Sequence, residues 1–134
     1  MTDRDMNASG DSPSDTSPSA EAAFRRAAED AIERDEAWEL ADLVLRIAQE
    51  AASREWAQSC CIQLSRHHSA EVRGNAVTGF GHLARRFGRV EPQGVRRRVE
   101  IALHDPSAYV RSQARSAALD LHTFLGWELE VDEV

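Results

Sequence analysis

Apolar residues return along this chain at intervals of three and four, the spacing of a one-sided helix. From Ser19 onward, "AEAAFRRAAEDAIER" puts Phe24, Ala27, Ala28, Ala31 and Ile32 on one face with charges opposite, which predicts a helix over about 20–34. Asp35 reads as the N-cap of a second helix, whose Leu40, Ala41, Val44, Leu45 and Ile47 form a wide apolar stripe. Ser53 caps a third, carrying Trp56, Ala57, Cys60, Cys61 and Leu64 inward until "RHH". Ser69 starts a fourth, with Val72, Ala76, Gly79/Phe80, Leu83 and Phe87 in line before Gly88 stops it. Pro92 opens a fifth with Val95, Val99, Ala102 and Leu103 inward. Asp105 as N-cap and Pro106 as first residue start a sixth, along Val110, Ala114, Ala117/Ala118, Leu121 and Leu125 to Gly126.

Residues 1–19, rich in Ser, Asp and Pro, have almost nothing to bury and are expected to form a disordered tail. The helical domain then spans 20–126, followed by an acidic tail over 127–134.

The fourth and sixth helices share one pattern. At an offset of thirty-eight residues Val72 matches Val110, Arg73 matches Arg111, Ala76 matches Ala114, Leu83 matches Leu121 and Gly88 matches Gly126. Upstream, Ala57, Cys61 and Leu64 fall on Val95, Val99 and Ala102, so the repeated unit is a helix pair. One pair cannot bury its own apolar face, and stacking copies solves this. The expected fold is therefore all-α, a short α-solenoid of three antiparallel helix pairs.

"HDPSAYVRSQARSAAL" resembles a HEAT repeat, in which an Asp-Pro turn leads into a helix beginning Val-Arg with alanine three residues after the arginine. "HHSAEVRGNAVTGFGHL" is similar with the Asp-Pro lost, and residues 20–52 resemble a degenerate first pair without Val-Arg, as suits a capping repeat. The resemblance implies that Arg73 and Arg111 hold neighbouring repeats together through carboxylates or carbonyls, with Asp105 a candidate partner. It also implies a shallow concave surface lined by the fourth and sixth helices. "GHLAR", residues 81–85, is similar to small bacterial HEAT-like proteins, some of which look like immunity proteins of polymorphic toxin systems.

Composition narrows the function. Phe, Trp and Tyr together are only 6%, so packing relies on alanine and leucine. The net charge is −7, every cationic side chain but histidine is arginine, and residues 71–125 hold nine arginines against five acids between acidic flanks. Acidic flanks argue against a continuous nucleic-acid face, which needs a strongly basic domain. No apolar run approaches a membrane span and no signal peptide is visible, so a cytoplasmic protein is expected. The adjacent Cys60 and Cys61 read as small core residues. His67 and His68 are expected to point apart, and the five histidines lack metal-ligand spacing. There is no phosphate loop, nucleophile elbow or carboxylate pair, so neither an enzyme, a cofactor nor a small-molecule substrate is expected.

Gly79 is expected at a close helix approach, and Gly74 and Gly81 at an accessible surface. The reading is a non-enzymatic protein-binding module whose partner is another protein, with a bacterial toxin implied by the immunity resemblance. Its candidate binding residues are Thr78, His82, Arg85, Arg86, Ser116, Asp120 and Thr123, with Gly74 and Ser112 on the same face. The alternatives are a nucleic-acid-binding repeat using Arg85, Arg86, Arg89 and Arg96–Arg98, and a helical-repeat chromophore lyase, which needs a ligand-sized pocket.

Overall fold

Six helices lie within residues 18–131, the part described by the computed structural model: α1 (Pro18–Arg34), α2 (Ala37–Glu50), α3 (Arg54–Leu64), α4 (Ala70–Phe87), α5 (Pro92–Ala102) and α6 (Ala108–Leu125). Residues 1–17 of the expected N-terminal tail and 132–134 of the C-terminal one lie outside the described residues. The fold is all-α, and α1 begins two residues earlier than the apolar pattern suggests.

Local chemistry sets most boundaries. Ser53, Ser69 and Ser107 stand in extended conformation, and their hydroxyls accept the N–H groups of Trp56, Val72 and Val110. Each satisfies one of the donors a helix start leaves unpaired. Both α4 and α6 end in a left-handed glycine, Gly88 at φ 68° and Gly126 at φ 73°, where a side chain would be strained.

Two expected caps serve other ends. Asp35 has φ 59°, and Glu36 takes the N-cap of α2 without a side-chain bond. Helix α6 starts at Ala108 behind Ser107, not at Pro106, because Asp105 Oδ1 accepts the Ser107 N–H at 2.8 Å and holds the turn open. In α5, Gln93 and Gly94 leave helical geometry directly after Pro92. A Cβ on Gly94 would stand 3.1 Å from Ile62 Cδ1, so the glycine lets this turn lie close on α3.

Helix α4 occupies the middle, packed against α2 on one side and α6 on the other, with α3 and α5 also against it. The expected inward lines are buried almost throughout: Val72, Ala76, Phe80 and Leu83 on α4, Val95, Val99 and Ala102 on α5, and Val110, Ala114, Ala117 and Leu121 on α6. Ala27 departs from this pattern and is exposed, because α1 lies mainly on α2 and buries only Ala28 and Ala31.

Gly79 does mark a close approach: a Cβ there would stand 2.7 Å from Cys61 Sγ and 3.3 Å from Ala48 Cβ. Gly74 and Gly81, expected at an accessible surface, are buried under α6. A Cβ would meet the Tyr109 ring at 2.7 Å from position 74 and the Asp120 carboxylate at 2.6 Å from position 81. These glycines are the floor on which α6 rests.

Polar bridges join successive pairs. Arg73 grips Asp105 with two parallel bonds, Nε to Oδ2 and Nη2 to Oδ1, both 3.0 Å, while its Nη1 donates to the carbonyls of His67 and His68 at 3.1 and 3.0 Å. Arg111 repeats the second half of this, donating Nη1 to the Asp105 and Pro106 carbonyls at 2.7 and 3.1 Å. His67 stands where Asp105 stands in the other copy of the pattern and does the same work. Its Nδ1 accepts the Ser69 N–H at 3.0 Å, and its Nε2 meets Asp35 Oδ1 at 2.7 Å. The rings of His67 and His68 stack with centroids 4.1 Å apart instead of pointing apart, because α3 ends at Leu64 and both residues sit in the turn.

Candidate functional site

Along the α4–α6 junction, polar side chains form a ridge over the glycine floor. Thr78 Oγ1 donates to Gln113 Oε1 at 2.6 Å. Four residues on, His82 is half-buried, and Arg85 Nη1 lies 3.4 Å from its Nδ1. With that donor at Nδ1, the neutral ring carries its proton on Nε2. Arg85 Nη2 also reaches Asp120 Oδ2 at 3.5 Å, and its guanidinium lies 5.8 Å from the Phe124 ring centroid. Ser116 and Thr123 are exposed on the same run of α6, as is Ser112. Gly74, placed on this face from sequence, lies beneath it.

The "GHLAR" stretch thus becomes one local cluster. Gly81 leaves room for the Asp120 carboxylate, and His82 and Arg85 are the next groups on the same side. Arg85 and Asp120 remain substantially solvent-exposed, so their attraction is screened and worth under about 1 kcal/mol. They can exchange each other for outside groups at little cost.

Arg86 is differently employed. Its Nη1 and Nη2 donate to the carbonyls of Ala48 and Ala51 at 2.9 and 2.8 Å, closing the C-terminal end of α2. Arg86→Ala is expected to lower stability by about 1–2 kcal/mol, the worth of charge-assisted bonds to otherwise unpaired carbonyls. A urea midpoint unchanged from wild type would show that water replaces them.

Burial lowers the pKa of His82, the Arg85 charge lowers it further, and Asp120 only partly opposes them. The folded state therefore disfavours protonation relative to the unfolded chain. Stability carried by neutral His82 is full above about pH 6.5, the ordinary value, and falls as the pH drops below it. His82→Gln should flatten the fall in urea midpoint between about pH 8 and pH 5.5, and parallel curves for both proteins would remove His82 as a cause.

Neither cysteine suits a nucleophile. Burial raises the Cys60 thiol to about 11, with Glu29 adding to the effect and Arg25 opposing it, and burial raises Cys61 as well. Both are free and buried, in keeping with core packing.

Asp35, His67 and His68 place three potential ligand atoms within 4.8 Å of one another. The hydrogen bonds around His67 oppose a metal there. Because Nδ1 accepts from Ser69, the neutral ring is protonated on Nε2, and that N–H faces Asp35. A metal at Nε2 would need a lone pair this tautomer has already used.

Sequence reasoning did not single out Asn75, which is buried and donates Nδ2 to the Ala41 carbonyl at 2.9 Å while its Oδ1 accepts from the Tyr109 hydroxyl. It links α2, α4 and α6 in one stroke. Phe124, beside Arg85, was also missed. Trp38, 75% exposed between α1 and α2, carries no signal beyond its position.

None of the helices is long and apolar enough among the described residues to cross a membrane. Comparison with protein-family models, with characterised proteins and with solved structures finds no match.

Proposed function

We propose that this chain is a non-enzymatic protein-binding module, built as a short HEAT-like stack of three helix pairs, that engages another protein through the ridge of Thr78, His82, Arg85, Ser116, Asp120 and Thr123. The observation that carries this reading is the Arg85 cluster. An arginine, an acid, a histidine and a half-exposed phenylalanine gather on two helices locked together by buried glycines. Arginine and aromatic residues on a rigid base are what protein interfaces concentrate their binding energy in.

The arginines of a nucleic-acid surface are largely engaged elsewhere. Arg86 closes α2, Arg89 pairs with Glu91 at 3.1 Å, and Arg96 donates to the Glu128 carbonyl at 3.0 Å and lies over Trp127. This favours a protein partner over a polyanion. The narrower reading, an immunity-type protein that blocks a bacterial toxin, rests on the likeness of "GHLAR" and agrees with Gly81, His82 and Arg85 serving one cluster.

The test is binding with the ridge altered and the fold kept. His82→Ala, Arg85→Glu and Thr123→Glu together should abolish saturable one-to-one capture of the partner found with the wild-type chain, with circular dichroism and melting temperature near wild type. Unchanged capture by that variant, with loss on Arg97 substitution, would move the interface to the outer helices. Binding only of oligonucleotides, with a steep salt dependence, would replace the reading altogether.

A further inference from the structure

Arg73 and Arg111 hold the turns before their helices with the same atom. Nη1 of Arg73 donates to the carbonyls of His67 and His68, and Nη1 of Arg111 donates to those of Asp105 and Pro106, thirty-eight positions on in both cases. Each guanidinium is thereby tied to its own turn in the same way. The opposite edge differs. On Arg73, Nε and Nη2 grip the Asp105 carboxylate of the following pair, both at 3.0 Å. On Arg111, which is half-buried, the same two groups bond no described residue. A solvated guanidinium without a carboxylate is ordinary on a protein surface. Arg111 differs in being oriented already on two carbonyls, with the edge its counterpart uses left over.

There is room beside that edge. Arg111, Arg115 and Leu119 follow one another at single turns along α6. Arg115 is exposed and Leu119 is 64% exposed. With Trp127 and Val131 these last two line a cavity of about 320 Å³ between α6 and the segment that follows it. The one carboxylate among the residues lining it, that of Glu128, lies 3.9 Å from His122 Nδ1.

We propose that the open edge of Arg111 is a binding site for a side-chain carboxylate of a partner protein, which enters it as Asp105 enters the edge of Arg73. The edge offers a single fork, and one carboxylate satisfies a fork with two parallel bonds. The fixed guanidinium has little freedom left to lose on binding. A second copy of this chain is a poor source, because its matching aspartate is already held by its own Arg73 and by the Ser107 N–H. That a protein bears the carboxylate rests on the proposed function. The site itself uses none of the ridge residues named there.

The experiment is a titration of the full ¹⁵N-labelled chain with acetyl-Asp-Pro-Ser-amide, which copies the turn at Asp105, at constant ionic strength. The arginine Nε–H signals and the Ser112 backbone N–H are followed. Arg111 should shift saturably and Arg73, whose edge is occupied, should not. The peptide with asparagine for aspartate should bind about ten-fold or more weakly, as loss of one charge-assisted hydrogen bond implies. Arg111→Lys keeps the charge but not the fork and should lose the response at Ser112. Asp105→Ala opens the edge of Arg73, which should then respond as Arg111 does. The variant altered at His82, Arg85 and Thr123 should keep the Arg111 response, so that failure of the ridge and failure of this site are told apart. No saturable Arg111 shift, an equal response to the asparagine peptide, or a full response in Arg111→Lys would overturn the proposal. Two other outcomes would overturn it by giving the edge to another occupant. One is an Arg111 signal that takes up the peptide only after Asp132→Asn/Glu133→Gln, and the other is self-association in sedimentation that Arg111→Lys abolishes.

Discussion

Replacing Asp105 with alanine is expected to lower folding stability by about 2–3 kcal/mol. The carboxylate side chain is 9% exposed and that of Arg73 21%, so the pair is poorly screened. Its loss also removes the acceptor for the Ser107 N–H beside the start of α6. Arg73 keeps the His67 and His68 carbonyls, which holds the cost below that of a wholly orphaned buried charge. Arg111→Ala, which removes bonds to two turn carbonyls and no carboxylate, should cost about 1 kcal/mol. Arg97→Ala should be close to neutral. Urea melts of the three proteins would decide it, and equal small losses would show that the pairs are not held together by this contact.

The same residue sets an acid limit. Burial acts to raise the Asp105 pKa, but the Arg73 hydrogen bond, the Ser107 N–H and the charges of Arg73 and Arg111 outweigh it, and the net direction is down. A carboxylate depressed in the folded state adds stability that is full above its unfolded pKa of about 3.9 and is lost as the pH falls through the folded value. Asp105→Ala should therefore lose less stability than wild type on acidification below about pH 4.

Asn75→Leu is expected to be equally damaging, at about 2–4 kcal/mol, from lost hydrogen bonds and from forcing a branched apolar side chain between α2 and α6. Asn75 is 7% exposed and joins the Ala41 carbonyl to the Tyr109 hydroxyl across three helices. Tyr109→Phe removes only one of those bonds at a partly exposed group and should cost about 0.5–1.5 kcal/mol. A Tyr109→Phe loss as large as that of Asn75→Leu would mean that the tyrosine, and not the asparagine, organises the junction.

Much of this architecture was legible in the sequence wherever the cause is local. Ser53, Ser69, Gly88 and Gly126 act within one turn of their own position, and the inward lines of α4, α5 and α6 follow from spacing alone. Asp105 was readable as the carboxylate that Arg73 grips, but the cap roles given to Asp35 and Asp105 were misjudged, because an aspartate before a helix looks the same whether it caps that helix or bonds a residue thirty-two positions away. Gly74 and Gly81 were misjudged for a related reason: the register of α6 on α4 decides whether a glycine is open or covered. The ridge residues were readable as the side opposite the core line, but their mutual bonds, Thr78 to Gln113 and Arg85 to Asp120, depend on that register too.

The bridge at position 105 and its counterpart at 67 differ in one respect that bears on how such a chain could grow. The pair α3–α4 presents Arg73 forward and receives the preceding turn with a histidine, whereas α5–α6 presents Arg111 forward and receives with an aspartate. Tandem duplication of α5–α6 would bring Arg111 to a second aspartate and extend the array in register. Duplication of α3–α4 would set Arg73 against an imidazole N–H, donor against donor. Lengthening by copying is thus open to one segment of this chain and closed to the other, an asymmetry fixed by a single residue in each turn.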